Sequence, residues 1–266
     1  MFKNYKDEGQ ITGIAKQHNI MIFIGNGFDI SVLKKYRKDS IVSSYSKFYD
    51  FLRYKGFDES NILYKQMKKD KLCRKENWSD FECSLGELLQ CNTDANVLED
   101  ALKKIQSMFL LFLNEVVTPD VLLNLNDDIG KYGWGQRALS GFLGDLSKED
   151  YKKMGFPDKT GHYHMYNYLV VNFNYTSLFD NYIYLDKYQF EPRPHKTVDT
   201  NFNFYPNPNG YIKPGKNENT IWSSFVMVDT IHPHGYQNIP RSLLFGIENE
   251  SYISDRVLNR FNKSYW

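Results

Sequence analysis

A chain of 266 residues can bury one large core or two modest ones. Its 33 lysines and arginines nearly cancel its 32 aspartates and glutamates, which leaves no field of one sign to draw in nucleic acid or an anionic membrane. Three cysteines, Cys73, Cys83 and Cys91, form no C-x-x-C pair, so they fit neither a disulfide framework nor a zinc site and suit a reducing cytosol.

Residues 1–16 carry acidic side chains and no apolar h-region, so no signal peptide is expected. The longest apolar stretch, residues 108–113, is far short of the roughly 20 that a membrane-spanning helix needs. The expectation is a cytoplasmic protein with no membrane partner.

The first element is a strand. Residues 20–24 (Ile, Met, Ile, Phe, Ile) run apolar without a break and stop at glycine, as a strand buried on both faces would. Helical spacing follows. It predicts helices over residues 43–54 (Tyr45, Phe48, Phe51, Leu52), 80–89 (Phe81, Leu85, Leu88, Leu89) and 97–117 (Leu98, Leu102, Ile105, Phe109, Phe112). A second strand is expected at residues 168–172, a third at 229–233 and a fourth at 243–246. Residues 191–220, rich in Pro, Asn, Gly and Lys, read as a long polar loop excursion. There is no internal repeat and no Gly/Ser linker. The organisation expected is a single α/β domain over residues 1–266, with a helical insertion at about 45–160.

Three polar motifs fall at the ends of the first three strands. Gly25-Asn26-Gly27-Phe28-Asp29 leads from a strand into a helix, where small residues let backbone N–H groups and the helix N-terminus approach an anion. Ile30 replaces the third glycine of the dinucleotide fingerprint and no acidic residue ends a second strand, which excludes an ordinary dehydrogenase. The plainer reading is a tight turn with Asp29 as an N-cap.

Asn172-Phe173-Asn174-Tyr175-Thr176 ends the second strand. The Asn174 amide can donate and accept, which suits a ribose hydroxyl or a water, while the plainer reading has Asn172 or Asn174 capping a helix. His232-Pro233-His234-Gly235 ends the third. A histidine near neutral pKa can take a proton from a hydroxyl, and Gly235 would let a ligand approach the backbone; the alternative is a turn histidine. Pairing His162-x-His164 with His232-x-His234 would make a metal site, but no carboxylate motif accompanies either pair, and no metal is expected.

The segments IFIGNGFDI (22–30), SSYSKFYDFL (43–52), NWSDFE (77–82), VVNFNYT (170–176), IHPHG (231–235) and LLFGIE (243–248) together resemble the AbiH family of bacterial abortive-infection proteins. That family is similar in turn to the SIR2-like group. The resemblance implies a Rossmann-like (SIR2-like), mostly parallel sheet. It also implies a site that binds NAD and often hydrolyses it, depleting the infected cell. Laid on this chain, the glycine loop falls on Gly25, Asn26, Gly27 and Phe28, the asparagine on Asn174 and the histidine on His234. Asn174 and His234 are then the implied catalytic pair, and Asp29, Tyr175 and Gly235 complete the expected nucleotide-binding set.

Thr176 stands where the distant relatives have aspartate, and Asp29 where they usually have a small hydroxyl residue. The family usually continues past Phe261-Asn262-Lys263 into a further strand with a G-H-S-L-x-x-x-D-type motif. The sequence reaches Trp266 without it, so a sheet lacking that strand, with one edge open, is expected. Trp78, Asp80 and Glu82 match a family motif with no assigned role beyond a core tryptophan and a helix start at Asp80.

The function expected is an anti-phage protein that binds NAD or a related nucleotide and releases nicotinamide and ADP-ribose. The alternative is a non-catalytic nucleotide-sensing or partner-binding module of a defence system. A nuclease or RNA-binding toxin is disfavoured by the neutral charge and the lack of a D/E-x-K metal constellation. Expected partners are the nucleotide, a phage trigger or host protein, and a second copy of the chain in a homo-oligomer.

Overall fold

The computed structural model describes residues 2–5, 13–91, 94–132, 134–154, 164–184, 225–247 and 261. The polar excursion at 191–220, His162, Asn262 and Lys263 lie outside them. Strand β1 is Lys16–Ile24, followed by α1 (Asn26–Tyr36), α2 (Tyr45–Tyr54), α3 (Ile62–Leu72), α4 (Phe81–Gln90), α5 (Ala95–Val116), α6 (Pro119–Tyr132), α7 (Trp134–Gly141) and α8 (Lys148–Met154). Then come β2 (His164–Asn172), α9 (Leu178–Ile183) and β3 (Phe225–Ile231). No single helix among the described residues is long and apolar enough to cross a membrane. The chain divides into two compact units interleaved in sequence, one from Met1–Ile24, Leu122–Asn172 and Phe179–Ile231, the other from Gly25–Val121, Phe173–Leu178 and His232–Trp266.

The first unit holds a parallel sheet in the order β1-β2-β3. Ile20, Tyr168 and Val228 share one row of its register, so their side chains share one face. On that face the fully buried Tyr168 donates its hydroxyl to the Leu139 carbonyl over 2.8 Å, and burial holds the hydroxyl well above its ordinary pKa. Tyr5 and Ile14 pack with Met165 and Met227 in a second buried cluster.

Only β2, paired on both sides, is buried along nearly its whole length. The expectation that β1 is buried on both faces is corrected. Met21 and Phe23 are 47% and 65% exposed, because β1 is the edge of the described sheet and its apolar run covers only one face. The third strand also lies earlier than expected. Val226 to Val228 pair with β2, whereas Pro233 has no N–H to give to a ladder.

The second unit is helical and aromatic. Phe48 meets Phe109 edge to face at 5.0 Å, with Phe81 and Phe112 completing the cluster. Ser44, Asn61, Asp80 and Asp94 cap α2 to α5 with their side chains, as a helix start prefers. Arg37 donates to the Glu115 and Val116 carbonyls (2.7 and 2.8 Å), closing the C-terminal end of α5 with a cation.

The fourth strand expected at residues 243–246 does not form. Leu243 follows a short 3-10 turn at Pro240–Ser242, and Phe245 packs edge to face on Phe81 and Phe109 at 5.0 and 5.3 Å. Among the described residues the backbone there bonds to the His234 carbonyl and the Glu82 side chain, and Phe245 serves the helical core.

Candidate functional site

The segments that follow β1, β2 and β3 in the chain come together in the second unit, where a cavity of about 250 Å3 opens. Asn26, Asp29, Asn174, Tyr175, Thr176 and His234 line it, joined by Ser43, Tyr45 and Glu82 and by Phe109 and Leu113 of α5. Residues far apart in sequence thus share one wall.

Asp29 organises the polar side. It is 1% exposed and accepts from Asn174 Nδ2 on one oxygen (2.9 Å) and from the Thr176 hydroxyl on the other (2.6 Å). Asn174 Nδ2 donates again to the Gly25 carbonyl at 3.1 Å, so one amide laces the glycine loop to the loop after β2. Two capping expectations are corrected. Gly25 is the N-cap of α1 and Asp29 lies inside the first turn, because its carboxylate is drawn inward by two buried donors. Asn172 is the last residue of β2, and it is the Thr176 hydroxyl that accepts from the Leu178 N–H at the start of α9.

The glycines divide into two kinds. Gly25 and Gly27 are exposed, and a Cβ built at either would meet nothing within 4 Å. The protein's own packing therefore tolerates a side chain at both, and the N-terminus of α1 is sterically open. Gly25, Gly27 and Phe28 flank the cavity without lining it; the loop enters it through Asn26 and Asp29. Asn26 is held by Ser43, whose hydroxyl donates to its Oδ1 at 2.9 Å.

Gly235 is different, because the chain's own packing requires a glycine there. Its φ is +74°, and a Cβ there would stand 1.8 Å from the Ser242 carbonyl oxygen. The glycine is required by the turn that brings Leu244 N–H onto the His234 carbonyl at 2.9 Å.

Of the two histidines, His234 lines the cavity, with its ring 5.5 Å from Phe173 and 5.9 Å from Tyr175. His232 stacks on Tyr236 at 4.5 Å, with Nδ1 3.3 Å from the Asn174 carbonyl oxygen. His164 lies in the first unit, with its Nδ1 3.1 Å from His18 Nε2. Among the described residues no group of three His, Cys, Asp or Glu side chains could hold a metal ion.

Sequence reasoning missed Glu82 and Tyr45 as site residues. Asp80 caps α4 by accepting from the Glu82 and Cys83 N–H groups (2.9 and 3.3 Å), which sets Glu82 in the first turn with its side chain at the cavity. Its Oε1 accepts from the Gly246 N–H at 3.1 Å. The Tyr45 hydroxyl is pushed well above its ordinary pKa by burial, then by Tyr175, Glu82 and Asp80 nearby. Trp78, half-buried, meets Tyr49 edge to face at 5.1 Å and carries Lys71 Nζ 4.3 Å from its ring, a packing role.

Residues 21–265 match the model of the family described as Bacteriophage abortive infection AbiH. The chain belongs to the AbiH family. This places it in defence against phage by abortive infection, and the AbiH match spans the glycine loop, both asparagine and histidine motifs and Glu82. No curated protein and no solved structure matches this AbiH chain.

Proposed function

We propose that this AbiH chain binds NAD at the cavity and hydrolyses it to nicotinamide and ADP-ribose, on a Rossmann-like scaffold of the SIR2-like kind. The observation that carries the reading is the meeting of Asn174, Asp29 and His234 at one cavity beside the open N-terminus of α1. A volume of about 250 Å3 falls just below the roughly 300–1,000 Å3 of pockets that enclose a whole small molecule, so it suits one end of a dinucleotide. The nicotinamide riboside takes the cavity, and the pyrophosphate lies against the N–H groups at the start of α1.

In the reaction the bond from the anomeric carbon to the pyridinium nitrogen breaks, and its electron pair leaves with neutral nicotinamide. Water adds to the oxocarbenium carbon and gives up a proton. His234 accepts that proton or holds the ribose hydroxyls. The leaving group is already good, so orientation and charge stabilisation supply most of the acceleration. The Asn174 N–H groups are engaged by Gly25 and Asp29, which makes Asn174 a positioning residue that fixes the glycine loop.

The same engagement favours a second reading, in which the chain senses a nucleotide without turning it over, since the amide that would hold the attacking water is already used. Incubation of purified protein with NAD, alone and with infected-cell extract, separates the two by chromatography. Nicotinamide and ADP-ribose in equal amounts support hydrolysis. Thermal stabilisation by NAD with no product under either condition supports sensing.

A further inference from the structure

We propose that the Glu82 end of the cavity recognises a planar cation, so that the pyridinium of an oxidised nicotinamide nucleotide is taken in preference to the neutral ring of the reduced form. For the dinucleotides this rests on the NAD reading above; for a planar cation as such it does not.

Among the described residues the lining combines two carboxylates, Asp29 and Glu82, with no lysine and no arginine. Asp29 has each oxygen engaged by a buried donor, from Asn174 and Thr176. Glu82 is held differently. A backbone N–H from Gly246 fixes its Oε1 with the side chain at the cavity, where its charge acts at short range. An anion placed here would face two carboxylates and, among the described residues, no lysine or arginine, so the phosphates belong outside.

Four aromatic side chains, Tyr45, Phe109, Phe173 and Tyr175, share the lining with Glu82. Tyr45 and Phe109 have ring centroids 6.0 Å apart, Phe109 and Tyr175 5.2 Å, and Phe173 continues the series beside His234. Ring faces attract a cation through their quadrupoles, and a nearby carboxylate adds a directed charge. The Tyr45 hydroxyl, held protonated by burial and by its acidic neighbours, contributes a polar edge without a second negative charge. A neutral ring of the same shape receives the packing but not the charge interaction. The side chains therefore discriminate by charge more than by size.

The test uses two matched pairs of probes on the full chain by calorimetry: 1-methylnicotinamide against nicotinamide, and NAD against NADH. In each pair the cationic ring is expected to bind at least tenfold tighter. Glu82→Gln, whose amide oxygen can still accept from Gly246, should bring both ratios close to one. Phe173→Leu, at a position already 39% exposed, should lower both ratios without loss of the fold. Equal binding of NAD and NADH, or of the two small amides, overturns the inference while leaving the NAD reading intact. Preference for 1-methylnicotinamide with neither dinucleotide bound supports the inference and overturns the NAD reading. Folded Glu82→Gln protein that keeps both ratios overturns the role of Glu82.

Discussion

The Thr176 hydroxyl donates to Asp29 Oδ2 over 2.6 Å, and both side chains are buried. A hydroxyl–carboxylate pair thus joins the glycine loop to the loop after β2. Asp29→Ala and Thr176→Ala should each cost about 1–3 kcal/mol by leaving a buried partner unsatisfied. The exchanged double variant Asp29→Ser with Thr176→Asp should recover more than half of that loss. Urea denaturation of wild type, the two alanine variants and their alanine double gives the coupling, expected at roughly 0.5–3 kcal/mol. Additive losses with no recovery would mean the pair is not a unit.

Gly235→Ala should be far more damaging than Gly27→Ala. At Gly235 a Cβ meets the Ser242 carbonyl at 1.8 Å with φ at +74°, so the turn carrying His234 must move. The left-handed backbone alone costs a non-glycine residue about 1–2 kcal/mol, and the clash adds to it. At Gly27 the Cβ meets nothing, and alanine inside a helix gains roughly 0.5–1 kcal/mol over glycine. Melting temperatures should therefore move in opposite directions, with Gly27→Ala weakening NAD protection if the phosphates sit at the start of α1.

The helices were readable because their signals are local. The Phe48, Phe51 and Leu52 spacing, and Asp80 and Asp94 ahead of periodic runs, each act within a few residues. What could not be read depends on distant partners. Glu82 is a site residue because α4 sets it at the cavity and Gly246, far along the chain, fixes its carboxylate. Residues 243–246 form a short apolar run like a strand's, yet Phe245 packs into an aromatic core that only the folded helices create. Gly235 shows a third limit. A glycine after a strand signals close approach but does not say to what, and here the approaching group is the chain's own Ser242 carbonyl.

The sheet should weaken in acid. His18 Nε2 and His164 Nδ1 lie 3.1 Å apart, a contact that requires one ring to offer a lone pair, and His18 stacks on Tyr166 at 5.0 Å. Burial, then the neighbouring His164 and Lys16, lower the His18 pKa to about 4 from its ordinary 6.5, and burial and Lys16 lower His164 as well. Between pH 6.5 and about 4 the unfolded chain binds more protons than the folded one, so stability is fully present above this window and is lost as pH falls through it. Urea midpoints measured across that range should decline, and His18→Gln should flatten the decline. An unchanged slope in the variant would remove this pair from the acid response.

Asn174→Ala and His234→Ala should each remove most of the hydrolysis, but by different routes that stability separates. The His234 ring is half-buried against Phe173, itself 39% exposed, so its removal should leave the melting temperature nearly unchanged. Asn174 is 4% exposed and supplies a donor to both Gly25 and Asp29; alanine there strands a buried carboxylate oxygen and a carbonyl, at about 1–3 kcal/mol. For a chain of this size that is roughly 2–10 °C in melting temperature. Because the two act on one reacting centre, the double variant should release nicotinamide little more slowly than either single one. A catalytic role for His234 predicts that the pH dependence of the wild-type rate survives in the residual activity of Asn174→Ala but is lost in His234→Ala. Should His234→Ala hydrolyse NAD at the wild-type rate, His234 is not a catalytic residue and serves only to line the cavity.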